Sequence, residues 1–283
     1  MAKRKRENTP EKIEKKLNEG FGQGIGKEYR PWLTIQEVPS EGRVTRILGV
    51  KIDRQHELMS DLERKYFYIA EFADCIKDIR EQFPLLPQEQ TIAIAEELGI
   101  KHPADPKTGE NIVMTTDFLL TIEKDGQLIQ IVRTVKYVNE LEDLRTIEKL
   151  EIERRYWKTK GIDWGIATEK DIDEAFAWNI HITRPFYNLE GLDGFENMTL
   201  PYIDKLRTAF IHEVIGRKIS VRETSDLFDE RMMLKPGTSI ALFKHLIIRK
   251  LIKVDMLKRL NIDMPMDIEE LLVHKQVQEG GTL

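Results

Sequence analysis

Cysteine is almost absent from this chain: Cys75 is the single cysteine among 283 residues. One cysteine excludes an internal disulfide and any cysteine-rich zinc site. Long apolar runs are absent too, because no stretch approaches the roughly 20 residues that a membrane-spanning helix needs. The opening MAKRKRENTPEK also lacks the apolar segment that is typical of a signal peptide. We therefore expect a cytoplasmic protein.

An excess of positive charge is also lacking, since the formal net charge is −5 at pH 7. The distribution is uneven: residues 1–30 carry 9 basic and 5 acidic side chains, residues 31–199 carry 21 and 32, and residues 200–260 carry 13 and 7. An acidic middle region repels a phosphate backbone unless metal ions or local lysines reverse the field. Tight binding of DNA without help from a partner is therefore not expected.

The length of the chain predicts two domains, at roughly 150 residues each. Residues 1–30 are predicted to form a basic N-terminal arm that includes KRKR at positions 3–6. In residues 31–185, hydrophobic periodicity predicts a mixed α/β sheet with flanking helices, with the strand that contains Asp117 in the middle. The predicted strands are 43–50, 75–83, a hairpin over 114–138, and 163–168, and the predicted helices are 56–72, 88–99 and 141–160.

The two strands of the hairpin carry an acid and a lysine. Asp125-Gly126 is a strong two-residue turn signal between them. Side chains alternate along a strand, so Thr134 and Lys136 are expected on one face of the second strand, next to the strand of Asp117. An Asp in one strand and an x-x-Lys in the next, with an acidic helix before and a helix after, is typical of a metal-dependent nuclease. A buried salt bridge is the alternative interpretation.

Ser60 and Glu63 form the pattern S-x-x-E within the predicted helix 56–72. In such a capping box the glutamate binds backbone N–H groups at the helix N-terminus, and this role requires no further function. The apolar face of the same helix, which includes Tyr66, would dock the helix on the sheet and direct Glu63 toward the edge of the site. Both interpretations stay open.

The predicted site suits magnesium chemistry. Magnesium takes oxygen ligands and is usually held by one or two carboxylates, water and substrate phosphate. Glu63 and Asp117 would supply the carboxylates, and the ion would polarise the scissile phosphate and lower the pKa of the attacking water. Lys136 would orient that water or neutralise charge on the phosphate. The six histidines show no metal-ligand spacing, and no Ser, His and Asp form a recognisable nucleophile motif.

Five stretches carry a family resemblance: GQGIGKEYRPWLTIQEVPSEGR from residue 22, LMSDLE from 58, DIREQFPLLP from 78, GIKHP from 99 and EKLEIERRYW from 148. Over roughly residues 15–168, the chain resembles TnsA, the family of endonuclease subunits of heteromeric bacterial cut-and-paste transposases. The resemblance implies a restriction-endonuclease-like fold, two Mg²⁺ ions per active site with Mn²⁺ as a substitute, and cleavage at the 5′ ends of a mobile element. A separate transposase subunit, TnsB, would cut and join the 3′ ends.

The resemblance also implies site residues. The family's glutamate, aspartate and lysine fall on Glu63, Asp117 and Lys136. The family pattern favours Gln, Glu or Asp two residues before the lysine, where this chain has Thr134. A hydroxyl is a weaker ligand than these groups. The predicted metal ligands are therefore Glu63, Asp117, the weaker Thr134 and the backbone carbonyl of Val135.

In residues 186–283, predicted helices at 200–215, 221–228 and 236–251 precede a strand-like stretch at 252–257, which is the plan of a winged helix. Lys244, Arg249 and Lys250 of the third helix are candidates for contact with DNA phosphates or with an acidic partner. The resemblance implies that this domain docks on the AAA+ regulator of transposition, TnsC. We therefore predict a mostly helical, partner-binding domain.

Two other function classes remain compatible with the sequence. An autonomous nuclease of the same fold would cut DNA alone, which the acidic middle region disfavours. A catalytically weak scaffold in the transposition complex is also conceivable, because Thr134 departs from the family pattern. A magnesium-dependent nicking assay with and without the transposase subunit separates the three classes.

Overall fold

The structure is a computed structural model that describes residues 9–37, 44–106 and 108–271. The chain divides into two compact units, residues 1–173 and residues 174–283. The KRKR run at positions 3–6 lies outside the described residues, and the helix that follows it in the basic arm is α1 (Pro10–Asn18). Among the helices of the described residues, none combines the length and the apolar character that crossing a membrane requires.

The first unit is built on a mixed sheet. A separate antiparallel hairpin, β1 (Thr45–Leu48) and β2 (Gln55–Leu58), precedes it. The main sheet has its strands in the order β3 (Ile76–Pro84), β4 (Thr115–Lys124), β5 (Gln127–Val135) and β6 (Asp163–Ala167). β4 is antiparallel to both β3 and β5, and β6 is parallel to β5. The predicted mixed α/β fold, with the Asp117 strand inside the sheet, is confirmed.

Three helices pack with this sheet: α2 (Asp61–Phe72), α3 (Gln88–Glu97) and α4 (Leu144–Thr159). Leu119 of β4 and Val132 of β5 share an apolar core with Trp157 of α4. The neighbouring Phe118 contacts Tyr66 of α2, with ring centroids 5.2 Å apart. Because side chains alternate along a strand, β4 is anchored by apolar contacts on both faces. Asp117 therefore projects from an inner strand that is packed on both faces.

The start of the predicted helix 56–72 is wrong. Residues 55–58 form β2 and pair with β1, and α2 begins after its N-cap, Ser60. A buried carboxylate explains the difference: Glu81 of β3 accepts a hydrogen bond from the Glu57 N–H at 3.0 Å and contacts His56 Nδ1 at 2.9 Å. This long-range network outweighs the local helix propensity of the stretch.

The second unit is mostly helical. Within the described residues its elements are α5 (Glu174–Thr183), a 3-10 turn (Arg184–Phe186), α6 (Leu200–Val214), α7 (Val221–Arg231), α8 (Thr238–Ile248) and a short antiparallel ribbon, β7 (Ile252–Lys253) with β8 (Glu269–Glu270). Nine of the 11 residues of α8 are buried, and Phe243 and Leu246 of α8 share one apolar core with Phe210 and Phe228. α8 is therefore the central helix of this unit. The three predicted helices are confirmed, although α8 ends before residue 251.

The division between the units lies between Asp173 and Glu174, earlier than the predicted boundary at residue 185. The difference is due to α5, which the sequence pattern did not predict. Its buried Asn179 donates hydrogen bonds to the carbonyls of Met256 at 3.0 Å and Lys258 at 2.8 Å. These bonds join α5 to the C-terminal part of the chain, so residues 174–185 belong to the second unit.

Candidate active site

The β4–β5 hairpin positions Asp117 and Lys136. The two-residue turn predicted at Asp125-Gly126 is confirmed: the two residues have φ angles of 52° and 73°, and positive φ at both central residues is what a type I′ turn requires. This turn sets an antiparallel register without a bulge between β4 and β5. β5 ends at Val135, so Lys136 follows the strand directly instead of lying inside it. The strand predicted to reach residue 138 is shorter than expected.

Asp117 binds the end of β5 through one carboxylate oxygen. Its Oδ2 accepts hydrogen bonds from the Val135 N–H at 2.7 Å and from the Lys136 ammonium at 3.1 Å. The ammonium also donates to the Val135 carbonyl at 3.0 Å. The lysine therefore folds onto the aspartate just past the end of β5, and it lines the same cavity as Thr134, the shared side that the alternation of side chains predicts.

Electrostatics keep Lys136 charged. Burial alone would lower the pKa of this ammonium, but the carboxylates of Asp117 and Glu63 raise it above the ordinary lysine value. At neutral pH a positive charge is thus fixed beside the Asp117 carboxylate.

Glu63 both takes part in the cap of α2 and faces the candidate site, the two roles that the sequence left as alternatives. Ser60 caps α2 by accepting the Glu63 N–H at 3.0 Å, and the Glu63 carboxylate accepts the Met59 N–H at 3.0 Å. The residue is nevertheless only 4% exposed. Burial, together with repulsion from Asp117, raises the pKa of Glu63 to about 8. A glutamate with a purely capping role would stay solvated at the helix end, whereas Glu63 interacts electrostatically with Asp117.

Gln82 joins Glu63 to the sheet, and sequence reasoning missed it. Its Nε2 donates to Glu63 Oε2 at 3.3 Å, and its Oε1 accepts the Thr115 hydroxyl at 3.3 Å. The residue is buried and has a φ of 48°, a left-handed conformation that is uncommon outside glycine. The Trp32 N–H donates to its backbone carbonyl. No local sequence pattern predicts this role, because the left-handed backbone conformation of Gln82 depends on distant contacts.

Glu153 of α4 was missed as well. Its Oε1 accepts the hydroxyl protons of Thr116 and Thr134. Burial and the charge of Asp117 raise the pKa of Glu153 to about 7, against the effect of these hydrogen bonds. A signal was present in the sequence: Glu153 lies three residues after Leu150, on the apolar side of a helix whose charges were expected to face solvent.

A cavity of about 450 Å³ opens beside these groups and is lined by Asp117, Thr134, Lys136 and Glu153, among others. Glu63 does not line the cavity. It accepts a hydrogen bond from Gln82 and interacts electrostatically with Asp117, and these two interactions link it to the site. Within residues 9–37, 44–106 and 108–271, no three His, Cys, Asp or Glu side chains form a ready-made metal cluster. The available donors are carboxylate oxygens and the Val135 carbonyl, a hard-oxygen set of the kind magnesium prefers.

Comparison with known proteins is decisive about the family. A model described as TnsA-like endonuclease N terminal matches residues 73–169, and a model described as TnsA endonuclease C terminal matches residues 171–256. A curated relative, the transposon Tn7 transposition protein TnsA of Escherichia coli, is 49% identical over 180 residues. The chain belongs to the TnsA family. The resemblance predicted from the sequence is thereby confirmed.

The extent of the match is limited. The alignment covers 64% of this chain and 64% of the length of the E. coli relative. The TnsA N-terminal model includes Asp117, Lys136 and Glu153 but begins at residue 73, after Glu63. The two TnsA models meet near residue 170, close to the division between the two structural units.

The cations predicted in the second unit of this TnsA-family chain lie near the end of α8. Lys244 is half-buried over the Phe186 ring, 4.8 Å from its centroid, and burial lowers the pKa of its ammonium. Arg249 is the C-cap residue of α8 and stacks over Tyr187 at 4.5 Å, and Lys250 follows with a φ of 55°. Two of the three residues therefore follow the helix that was predicted to present them.

Proposed function

We propose that this chain is the endonuclease subunit of a transposon and hydrolyses DNA phosphodiester bonds at the 5′ ends of the element, in the bacterial cytoplasm. The observation that carries the proposal is the contact of Lys136 with Asp117 at 3.1 Å beside a second buried carboxylate, Glu63, whose pKa is raised to about 8. Membership of the TnsA family supports it.

We further propose that the site uses Mg²⁺, with two ions per site and Mn²⁺ as a substitute. The donor set fits: Glu63 and Asp117 repel one another, and this repulsion contributes to the raised pKa of Glu63, so a cation would stabilise both as carboxylates. Glu63, Asp117 and the Val135 carbonyl would hold the metal. When bound, Mg²⁺ would polarise the scissile phosphate and lower the pKa of the attacking water.

The protein's own groups would then orient the reaction. Lys136 carries a fixed positive charge that can neutralise charge developing on the phosphate or align the attacking water. Thr134 donates its hydroxyl to Glu153, so we propose that Thr134 orients this carboxylate and that Glu153 contributes the oxygen on that side of the site. Gln82 would hold Glu63 in position through its 3.3 Å hydrogen bond.

For the fold, we propose a restriction-endonuclease-like core in the first unit and a winged helix in the second, where α6, α7 and α8 precede the β7–β8 ribbon. α8 has nine of 11 residues buried, which disfavours its insertion into a DNA groove. We therefore propose that this unit docks on a protein partner, the TnsC-type regulator, and that Lys244, Arg249 and Lys250 contribute to that surface. The transposase partner would be of the TnsB type, bound with it at the transposon ends.

The test is a magnesium-dependent nicking assay on linear DNA that carries both ends of the element, with and without the transposase subunit. We expect cleavage at the 5′ ends only when both subunits are present. Cleavage by this chain alone would identify an autonomous nuclease, and absence of 5′ cleavage in either mixture would identify a scaffold. Asp117→Asn is the matched variant, because it keeps the size of the side chain and removes its charge.

A further inference from the structure

We infer that Arg145 and Lys149, on the first turns of α4, bind backbone phosphates of the DNA strand next to the scissile phosphate. This inference rests on the proposed nuclease function and adds the side of the site along which the strand runs. Both side chains line the cavity that also contains Asp117, Lys136 and Glu153.

The spacing places these cations on one face of α4. Residues 145, 149 and 153 are four apart, and residues at this spacing share a helix face about 6 Å apart along the axis. Glu153 is the buried inner member, whereas Arg145 is half-buried and Lys149 is exposed. The face therefore leads from the candidate catalytic cluster to solvent, with two positive charges along the way.

The acidic and the basic side chains that line the cavity differ in how far they are already occupied by hydrogen-bond partners. The carboxylates that line it already accept hydrogen bonds from the protein: Asp117 from Val135 and Lys136, Glu140 from the Tyr137 N–H, and Glu153 from two threonines. These carboxylates therefore do not depend on the cations of α4 for hydrogen bonds.

The two cations have spare binding capacity. Among the described parts of the chain, Lys149 makes no ion pair, although its charge acts on the exposed Asp143. Arg145 donates from Nη1 to Glu148 at 2.7 Å, which uses one of the five N–H donors of a guanidinium. A surface pair of this kind is worth little and yields readily to a phosphate.

The remaining lining of the cavity includes Pro103, Ala104 and Ile112, which carry no charge. A cavity with uncharged groups, satisfied acids and two available cations suits a polyanion with an apolar component. A DNA strand meets this description, because phosphates alternate with sugars and bases. Phosphate contacts of this kind fix the register of a strand without reading its sequence.

The inference makes a quantitative prediction about salt. Each phosphate contact that is lost reduces the slope of log affinity against log salt by about 0.7 for single strands and 0.9 for duplex DNA. Arg145→Ala and Lys149→Ala should each reduce the slope by about this amount and weaken binding at low salt about tenfold, as expected for a charge-assisted hydrogen bond. Arg145→Lys and Lys149→Arg should keep the slope, because they keep the charge.

The experiment uses the full chain and a fluorescently labelled duplex that contains one transposon end. Binding is measured by anisotropy across a range of NaCl concentrations, without divalent ions so that the DNA stays uncut. Lys158→Ala is the matched control, since Lys158 is an exposed residue of α4 that does not line the cavity. Thermal unfolding verifies that every variant is folded.

A smaller slope in the two alanine variants, but not in Lys158→Ala, supports the inference. An unchanged slope in Arg145→Ala and Lys149→Ala overturns it, and so does a wild-type protein that does not bind at any salt concentration. The nicking assay with the transposase subunit distinguishes failure of the phosphate contacts from failure of the proposed nuclease function. If the wild type cleaves but the salt slopes of the two alanine variants are unchanged, only the phosphate contacts are refuted. If the wild type never cleaves, the proposed function is refuted.

Discussion

Two buried glutamates of the first unit, Glu63 and Glu81, show opposite electrostatics. Burial would raise the pKa of both carboxyl groups. At Glu81, the charges and hydrogen bonds of His56 and Arg54 reverse that effect and lower the pKa to about 2. At Glu63, repulsion from Asp117 adds to burial, and the pKa rises to about 8. The negative charge of Glu81 is compensated by neighbouring groups of the protein, whereas Glu63 lies where positive charge is insufficient.

The difference separates a structural cluster from a functional one. The Glu81 cluster joins β2 to β3 and compensates its own charge, because Glu81 forms a buried ion pair with Arg54, next to the turn of the β1–β2 hairpin. The Glu63 cluster has one ammonium, Lys136, near two carboxylates. Buried groups with strongly shifted pKa values are candidates for chemistry, because folding alone gains nothing from such repulsion. Three predictions test this contrast, and a fourth tests the role of Thr134 beside Asp117 and Lys136.

The largest expected effect is on cleavage. Asp117→Asn or Lys136→Ala should reduce 5′ cleavage about 10²- to 10³-fold, the scale for losing one group that stabilises a transition state electrostatically. The double variant should be little worse than either single variant, because groups that act as a unit are not additive. Single-turnover nicking with the transposase subunit measures this, and full cleavage by either variant would refute the assignment. Glu81→Gln is not a useful control here, since it affects folding.

The second effect is on stability and concerns the balanced cluster. Glu81→Gln leaves the buried Arg54 guanidinium without its counter-charge and should cost about 3–5 kcal/mol. Glu63→Gln removes a repelled carboxylate and should cost far less. Urea unfolding in a Trp178→Phe background measures the first unit by itself, because the other three of the four tryptophans lie within residues 1–173. Equal costs for the two variants would contradict the contrast.

Acid should weaken the first unit through the same cluster. Because folding lowers the pKa of Glu81 from its ordinary value of 4.5 to about 2, its stabilising contribution is fully present above about pH 4.5 and is lost as the pH falls toward 2. The fluorescence-monitored unfolding free energy should therefore decline across this window. Glu81→Gln should flatten that decline, since the variant has no proton to bind; an unchanged slope would show that other carboxyl groups dominate.

The parts of the site that depend on local chemistry were predictable from the sequence. Asp125-Gly126 determines the turn, the turn determines the register of β4 and β5, and the register brings Asp117 to the end of β5. Ser60 likewise marks the start of α2. These signals are encoded within a few residues, and each was confirmed.

Other parts depend on distant contacts. Gln82 adopts a left-handed backbone while its carbonyl accepts the N–H of Trp32, far away in the chain, and no local pattern encodes this. β2 was mistaken for a helix because its partner Glu81 lies more than 20 residues ahead. Glu153 could have been found, since a charged residue on the apolar side of a helix is an anomaly that demands a buried partner.

The smallest effect distinguishes two roles for Thr134. Thr134→Val keeps the β-branched shape and removes one hydrogen bond to Glu153, at a cost of about 1 kcal/mol, and it should reduce cleavage only a few-fold. Thr116→Val is the matched control, because Thr116 also donates its hydroxyl to Glu153. If Thr134 acts through Glu153, both variants should show the same magnesium dependence of nicking. If Thr134 instead binds the metal directly, as the family pattern at its position implies, only Thr134→Val should require more magnesium, and the orienting role proposed for Thr134 would be wrong.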